Sequence, residues 1–158
     1  MLVDSHCHLN FQPLRDQLPG ILQNAENCGV RYMLCVSVTL ESVNEVLALA
    51  AQHPRVFASV GVHPDQQHGR EPAVAELVEL ASRPRVVAIG ETGLDYFRIK
   101  GDMGWQQERF RNHIRAARTA GKPLIIHTRS AAADTLRILH EEGAERVGGV
   151  MHCFTEDW

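Results

Sequence analysis

The stretch Asp4-Ser5-His6-Cys7-His8 follows directly on the apolar pair Leu2-Val3. Side chains of an extended strand alternate faces with a period of two, so His6 and His8 point to one side of it. Two imidazoles converging beside an acidic residue can hold a divalent metal. Alone, such a pair carries little weight, because neighbouring histidines are often simply solvated. Its meaning depends on what the rest of the chain sets beside it. Three further histidines and one carboxylate are placed to do so: His63, Glu91, His127 and His152, each at the end of an apolar run.

Those runs define the framework. Leu2–His6, Tyr32–Ser37, Val56–Val60, Val86–Gly90, Pro123–His127 and Gly148–His152 read as strands, with helix-period segments between them. Helical stripes are Leu18, Ile21, Leu22 and Ala25, then Val43, Val46, Leu47 and Ala50 with Thr39 as N-cap and Pro54 as stop. Further helices are expected over about 73–82, 103–120 and 131–142, and Gly29 and Gly121 stand where C-caps belong. The strands are nearly continuous apolar runs, the mark of a parallel sheet covered on both faces. Successive β-α units mean an α/β fold, either a barrel or an open doubly wound sheet. Functional groups at the C-terminal ends of consecutive strands converge in a barrel and spread along a line in an open sheet. The expectation is therefore a TIM-type (β/α)8 barrel of which the sequence carries six units, in a single domain over residues 1–158.

Nine histidines are present. His53, His68, His113 and His140 precede a helix-ending proline, lie in a loop or sit inside helices, and read as solvated or helix-end residues. The other five sort to strand ends, which chance or core packing does not explain, and they predict a metal site. Glu91, between Gly90 and Gly93, is costly to bury unless paired or metal-bound. A carboxylate can bridge two cations whereas an imidazole nitrogen binds one. The two lysines, Lys100 and Lys122, fall in a loop and at the wrong end of a strand, so Glu91 is the natural bridge.

Bulk properties narrow the classes. The 158 residues suffice for one domain with a real core. A net charge of -3 supplies no global field toward nucleic acid or an acidic membrane, so a nucleic-acid substrate must be gripped locally. Four cysteines without paired spacing read as reduced thiols. Neither a signal peptide nor a membrane span is expected, and the location expected is cytoplasmic.

His6-Cys7-His8, Gly61-Val62-His63-Pro64, Gly90-Glu91-Thr92-Gly93-Leu94-Asp95, His127-Thr128-Arg129 and His152-Cys153-Phe154-Thr155 together resemble the successive motifs of the TatD-like metal-dependent deoxyribonucleases. The resemblance covers essentially the whole chain, in the family's order. It implies a TIM-type barrel, one or two divalent metal ions (Zn, Mn or Mg) and hydrolysis of DNA phosphodiester bonds, with RNA as the alternative substrate. Carried over by position, His6 and His8 hold a first metal, Glu91 bridges, and His127 and His152 hold a second. A mixed imidazole and carboxylate set suits Zn or Mn better than Mg.

Around this set, His63 is expected to touch a substrate phosphate or donate a proton, and Arg129 to clamp phosphate with its planar fork. Asp95 is expected to orient a ligand, with an Asx-turn as the equal alternative. Arg98 and Lys100 stand where they could meet a DNA backbone, while Arg109, Arg111, Arg115 and Arg118 read as a solvated helix face. No membrane or obligate protein partner is expected. The departure from the family is at the end. A complete barrel needs eight units and about 250 residues, and the family's last acidic motif has no counterpart here. The expectation is a fragment with open edges at its first and sixth strands, weak or inactive by itself. The alternative readings are a metallohydrolase of amide or ester bonds and a metal-binding fragment without catalysis.

Overall fold

The computed structural model describes residues 1–97, 99 and 101–155. The strands are β1 (Leu2–Cys7), β2 (Val30–Cys35), β3 (Val56–Val60), β4 (Val86–Asp95), β5 (Leu124–Arg129) and β6 (Gly149–Met151). The helices between them are α1 (Leu18–Asn27), α2 (Val43–Gln52), α3 (Val74–Ala81), α4 (Gly104–Ala120) and α5 (Ala132–Glu141). The six strands form one sheet in sequence order, every neighbouring pair parallel. Unbroken succession of this kind is what right-handed β-α-β crossovers produce when each helix returns to the same side.

The sheet curls into an incomplete barrel. Its two edge strands are far apart in the hydrogen-bonded order, yet His6 of β1 stacks on His152, just beyond β6, with ring centroids 3.6 Å apart. The core lies between the strands and the helical layer. Val46 and Ala50 of α2, Leu77 and Ala81 of α3, Phe110, Ile114 and Ala117 of α4, and Ile138 of α5 are buried. Each set recurs at helical spacing and turns one stripe toward the strands. Gly121 closes α4 in the left-handed conformation, φ 63°, where a side chain is disfavoured.

Three details differ from the sequence reading. Helix α2 starts at Val43 after Ser42, not at Thr39; the Thr39 hydroxyl accepts the Ser42 N–H (3.1 Å) and caps the preceding turn instead. Strand β4 continues to Asp95 and β5 to Arg129, so Glu91 and His127 lie within strands. The extension is stitched by β4–β5 pairing, with Gly93 opposite His127 and Asp95 opposite Arg129. Gly93, at φ 130°, faces the His127 backbone so closely that a Cβ there would overlap its carbonyl.

Candidate metal centre

Glu91 is 4% exposed, and three strands fix it. Its N–H donates to the Ser37 carbonyl (2.9 Å), two residues beyond β2. The preceding Gly90 carbonyl accepts the Ser59 hydroxyl of β3 (2.6 Å), and Ser59 Oγ in turn accepts the Ser37 N–H (3.3 Å). A Cβ at Gly90, φ 145°, would lie 2.5 Å from the Ile125 carbonyl oxygen, so only glycine lets β4 run this close to β5 here. Ser37 and Ser59 carry no sequence signature, and their role is visible only once β2, β3 and β4 are neighbours.

From this anchor the carboxylate spreads its two oxygens toward different histidines. Oε2 lies 3.2 Å from His6 Nε2. Oε1 lies 3.7 Å from His63 Nε2 and 3.5 Å from His127 Nδ1. His6, His8 and Glu91 form one trio whose donor atoms all lie within 4.8 Å of one another, and His63, Glu91 and His127 form a second. Glu91 belongs to both.

Three of the four histidines commit their other ring nitrogen to an oxygen acceptor. His8 Nδ1–H donates to the Val36 carbonyl (3.0 Å), His63 Nδ1–H to Asp65 Oδ1 (2.7 Å) and His127 Nε2–H to Asp95 Oδ2 (3.2 Å). With one nitrogen engaged in this way the other faces inward, where a cation could take up its lone pair in place of a proton, as in metal-ligating histidines. Asp95 also accepts the Phe97 N–H (2.9 Å), so one of its oxygens faces His127 while the other closes an Asx-type turn.

The electrostatics follow from burial and mutual contact. Burial alone raises the Glu91 carboxyl, but hydrogen bonds from His127 and His6 and the charge of His63 outweigh it and hold it well below the usual carboxylate range. Burial lowers His127, and the facing Glu91 and Asp95 reverse that and raise it. His8 and His152 are lowered, chiefly by burial, with His6 adding to it. Among the described residues the ion-pair partners of Glu91 are imidazoles only. A buried anion ringed by imidazole nitrogens is a donor set that fits a divalent cation, which would take the place of the protons those nitrogens share with Glu91, and nitrogen-rich composition favours Zn or Mn over Mg.

The remaining candidates fall as follows. His152 stacks on His6 with the rings 12° from parallel and stands outside both trios, whereas His63 stands inside one. Arg129, last residue of β5, is exposed with its guanidinium 3.9 Å over the Phe97 ring. Arg98 and Lys100 lie outside the described residues.

Two expectations for α4 are corrected. Arg109 is 2% exposed, not part of a solvated face. Its guanidinium binds both Glu71 carboxylate oxygens and donates to the carbonyls of His63 (3.0 Å) and Gln66 (2.8 Å). His113 is fully buried, not a solvated or helix-end residue; its Nε2 accepts the Val62 N–H (3.0 Å) and its Nδ1–H donates to the Arg109 carbonyl (2.8 Å). Together they hold the backbone on both sides of His63. Arg111 and Arg115 do pair at the surface, with Glu141 and Glu142 and with Glu142 and Glu108.

The chain as a whole is similar to known proteins. The family model described as TatD related DNase matches residues 3–158. The Escherichia coli K12 protein named Uncharacterized metal-dependent hydrolase YcfH is 43% identical over 159 residues, covering 99% of this chain and 60% of its own. The Edwardsiella piscicida protein named 3'-5' ssDNA/RNA exonuclease TatD is 31% identical over 156 residues, covering 98% and 60%. Among solved structures, the YjjV TatD homolog of Escherichia coli K12 superimposes with a TM-score of 0.88 at 28% identity, covering 99% of this chain and 61% of that one. A TatD family hydrolase from Entamoeba histolytica has the same fold, with a TM-score of 0.83 at 23% identity over 98% of this chain and 58% of that one. The chain thus spans about 60% of the length of the curated relatives it matches. With a family model that matches it nearly end to end, the chain belongs to the TatD-related DNase family.

Proposed function

We propose that the protein hydrolyses nucleic-acid phosphodiester bonds with one or two divalent metal ions held around Glu91. The observation that carries this reading is the split carboxylate, one oxygen toward His6 and the other toward His63 and His127. Metal ions bound there supply Lewis-acid charge for the phosphoryl oxygens and activate water. The chain's own residues do the positioning. His6, His8 and His127 present lone pairs, Glu91 joins the two halves of the site, and Asp95 orients His127. His152, stacked on His6, is the remaining nitrogen donor at the same mouth. His63, aligned by Asp65, stands where it can hold a cation or donate a proton to the departing oxygen. Arg129 offers a planar fork to phosphate oxygens, with no carboxylate partner among the described residues.

The substrate class rests on the family and on the exonuclease name of the Edwardsiella relative. We place the activity in the cytoplasm, a reading supported by four free cysteines; among the described residues no helix is long and apolar enough to cross a membrane.

The test is digestion of end-labelled single-stranded DNA with Mn, Zn, Mg or chelator, comparing the protein with its Glu91→Ala variant. Metal-dependent cleavage that falls about 100- to 1,000-fold in the variant is expected, on the scale of losing a main stabiliser of transition-state charge. Hydrolysis of carboxylic esters or amides, with none of a p-nitrophenyl phosphodiester, would replace this reading with an amidohydrolase-type one. Metal uptake without turnover on any of these substrates would leave a binding protein.

A further inference from the structure

Phe97 stands in the loop leaving β4, 57% exposed, beside the metal centre rather than in the core. The chain's other exposed phenylalanines, Phe11 and Phe154, also stand in loops beyond the C-terminal ends of strands, while Phe110 is fully buried. Phe97 follows a strand with neighbours on both sides, whereas Phe11, stacked on His8, follows the edge strand β1 and Phe154 the edge strand β6. Its N–H donates to Asp95 Oδ1, the carboxylate whose other oxygen faces His127. The Tyr96 N–H donates to the Arg129 carbonyl (2.9 Å), tying the same loop to β5. Arg129 then lays its guanidinium over the ring at 3.9 Å, a cation–π contact that sets the ring's orientation. An aromatic face and an arginine with no carboxylate partner among the described residues are thereby tied to the metal-facing groups through one carboxylate and one backbone bond.

An aromatic face beside a cation is the pairing that binds an unstacked nucleotide, the base on the ring and the phosphate on the guanidinium. A base paired inside a duplex presents no free face to such a ring. We propose that Phe97 is a stacking platform for one unpaired base of a single-stranded nucleic acid, next to the phosphate that Arg129 takes up. This rests on the function proposed above and adds to it a base-binding subsite.

The experiment is fluorescence anisotropy of the metal-loaded protein with a labelled single-stranded oligonucleotide whose linkages are all phosphorothioate, so that cleavage is suppressed. A second probe has the same backbone with abasic positions throughout. Phe97→Ala is expected to weaken binding of the base-bearing probe roughly 5- to 150-fold, the range for losing one base–aromatic contact, and to leave the abasic probe unchanged. Phe97→Trp restores the affinity, whereas Phe97→Leu, apolar but without a π face, does not. Equal weakening of both probes would overturn the proposal, because the ring would then act only by placing Arg129. Full affinity in Phe97→Leu would overturn it as well. A wild-type protein that binds neither probe removes the nucleic-acid reading itself, and the platform with it. A protein that binds both probes with equal affinity keeps that reading and loses only the platform.

Discussion

Nine of the ten residues of β4 are buried, whereas none of the six residues of β1 is. Both strands carry groups of the same centre, so its two halves rest on different foundations. The half at His63, Glu91 and His127 is backed by α3, α4 and a sheet with neighbours on either side. The half at His6 and His8 hangs from an edge strand that, among the described residues, pairs with β2 alone; beyond that pairing the Cys7 carbonyl accepts the Val36 N–H (2.8 Å) and His8 donates to the Val36 carbonyl (3.0 Å). At the opposite edge, His152 follows a three-residue strand that is equally bare. The difference shows that convergence and rigidity are separate achievements. Curling the sheet brings the histidines together, but only the middle of the sheet is held by a core within the described residues.

The sharpest way to break this contrast is to cut into the core behind the middle strands. Ile114, fully buried on α4, is expected to lose about 2–5 kcal/mol of stability on Ile114→Ala, by lost burial plus the cavity left behind. Urea unfolding measures this, and a loss under 1 kcal/mol would mean that α4 is not the keel of that half.

Acid supplies a second cut, slightly smaller. Burial keeps the His113 imidazole down at about 4, against an ordinary 6.5. Below pH 6.5 the unfolded chain takes up a proton that the folded chain refuses, so this group destabilises the fold as pH falls and the effect levels off below about 4. The full effect is about 3 kcal/mol. Unfolding free energies measured between pH 4 and 8 should show this slope in the wild type and a flatter one in His113→Gln; parallel slopes would assign the acid sensitivity elsewhere.

A finer probe sharpens the comparison inside the site. Asp95→Asn keeps the shape but removes the charge facing His127, and should cost metal affinity about 10- to 100-fold. Competition with a chromogenic chelator reads this directly, and an unchanged affinity would reduce Asp95 to its turn with Phe97. Smallest of all are the edges. Val3→Lys and Val150→Lys replace exposed side chains and should change stability by no more than about 0.5 kcal/mol while lowering self-association in sedimentation. A large loss at either would show that the edge strands are better supported than their exposure implies.

Much of this architecture is legible in the chain itself. Apolar runs of strand length, five of the six leading to a histidine or Glu91, specify both the parallel order and the end at which chemistry gathers, because a β-α repeat leaves few other arrangements. Arg109 and His113 are not legible. On α4 they lie among Arg111, Arg115 and Arg118, and nothing local separates a buried arginine from a solvated one. What separates them is a loop some forty residues earlier whose carbonyls need donors. Asp65 is hidden for a similar reason, since a polar residue in a polar loop acquires meaning only when that loop folds back on His63. The placement of His63 within a trio, with His152 stacked on His6, depends on how far the sheet curls, which side-chain periodicity does not encode.

That stack has a use of its own. His6 and His152 lie ring on ring at 3.6 Å although they belong to opposite margins of the sheet. Protons above an aromatic ring are shielded by its circulating electrons, and the shielding fades steeply with distance. The chemical shifts of these two imidazoles therefore work as a curvature gauge. A sheet that opens slides the rings apart and returns their signals toward free histidine, while one that tightens drives them further upfield.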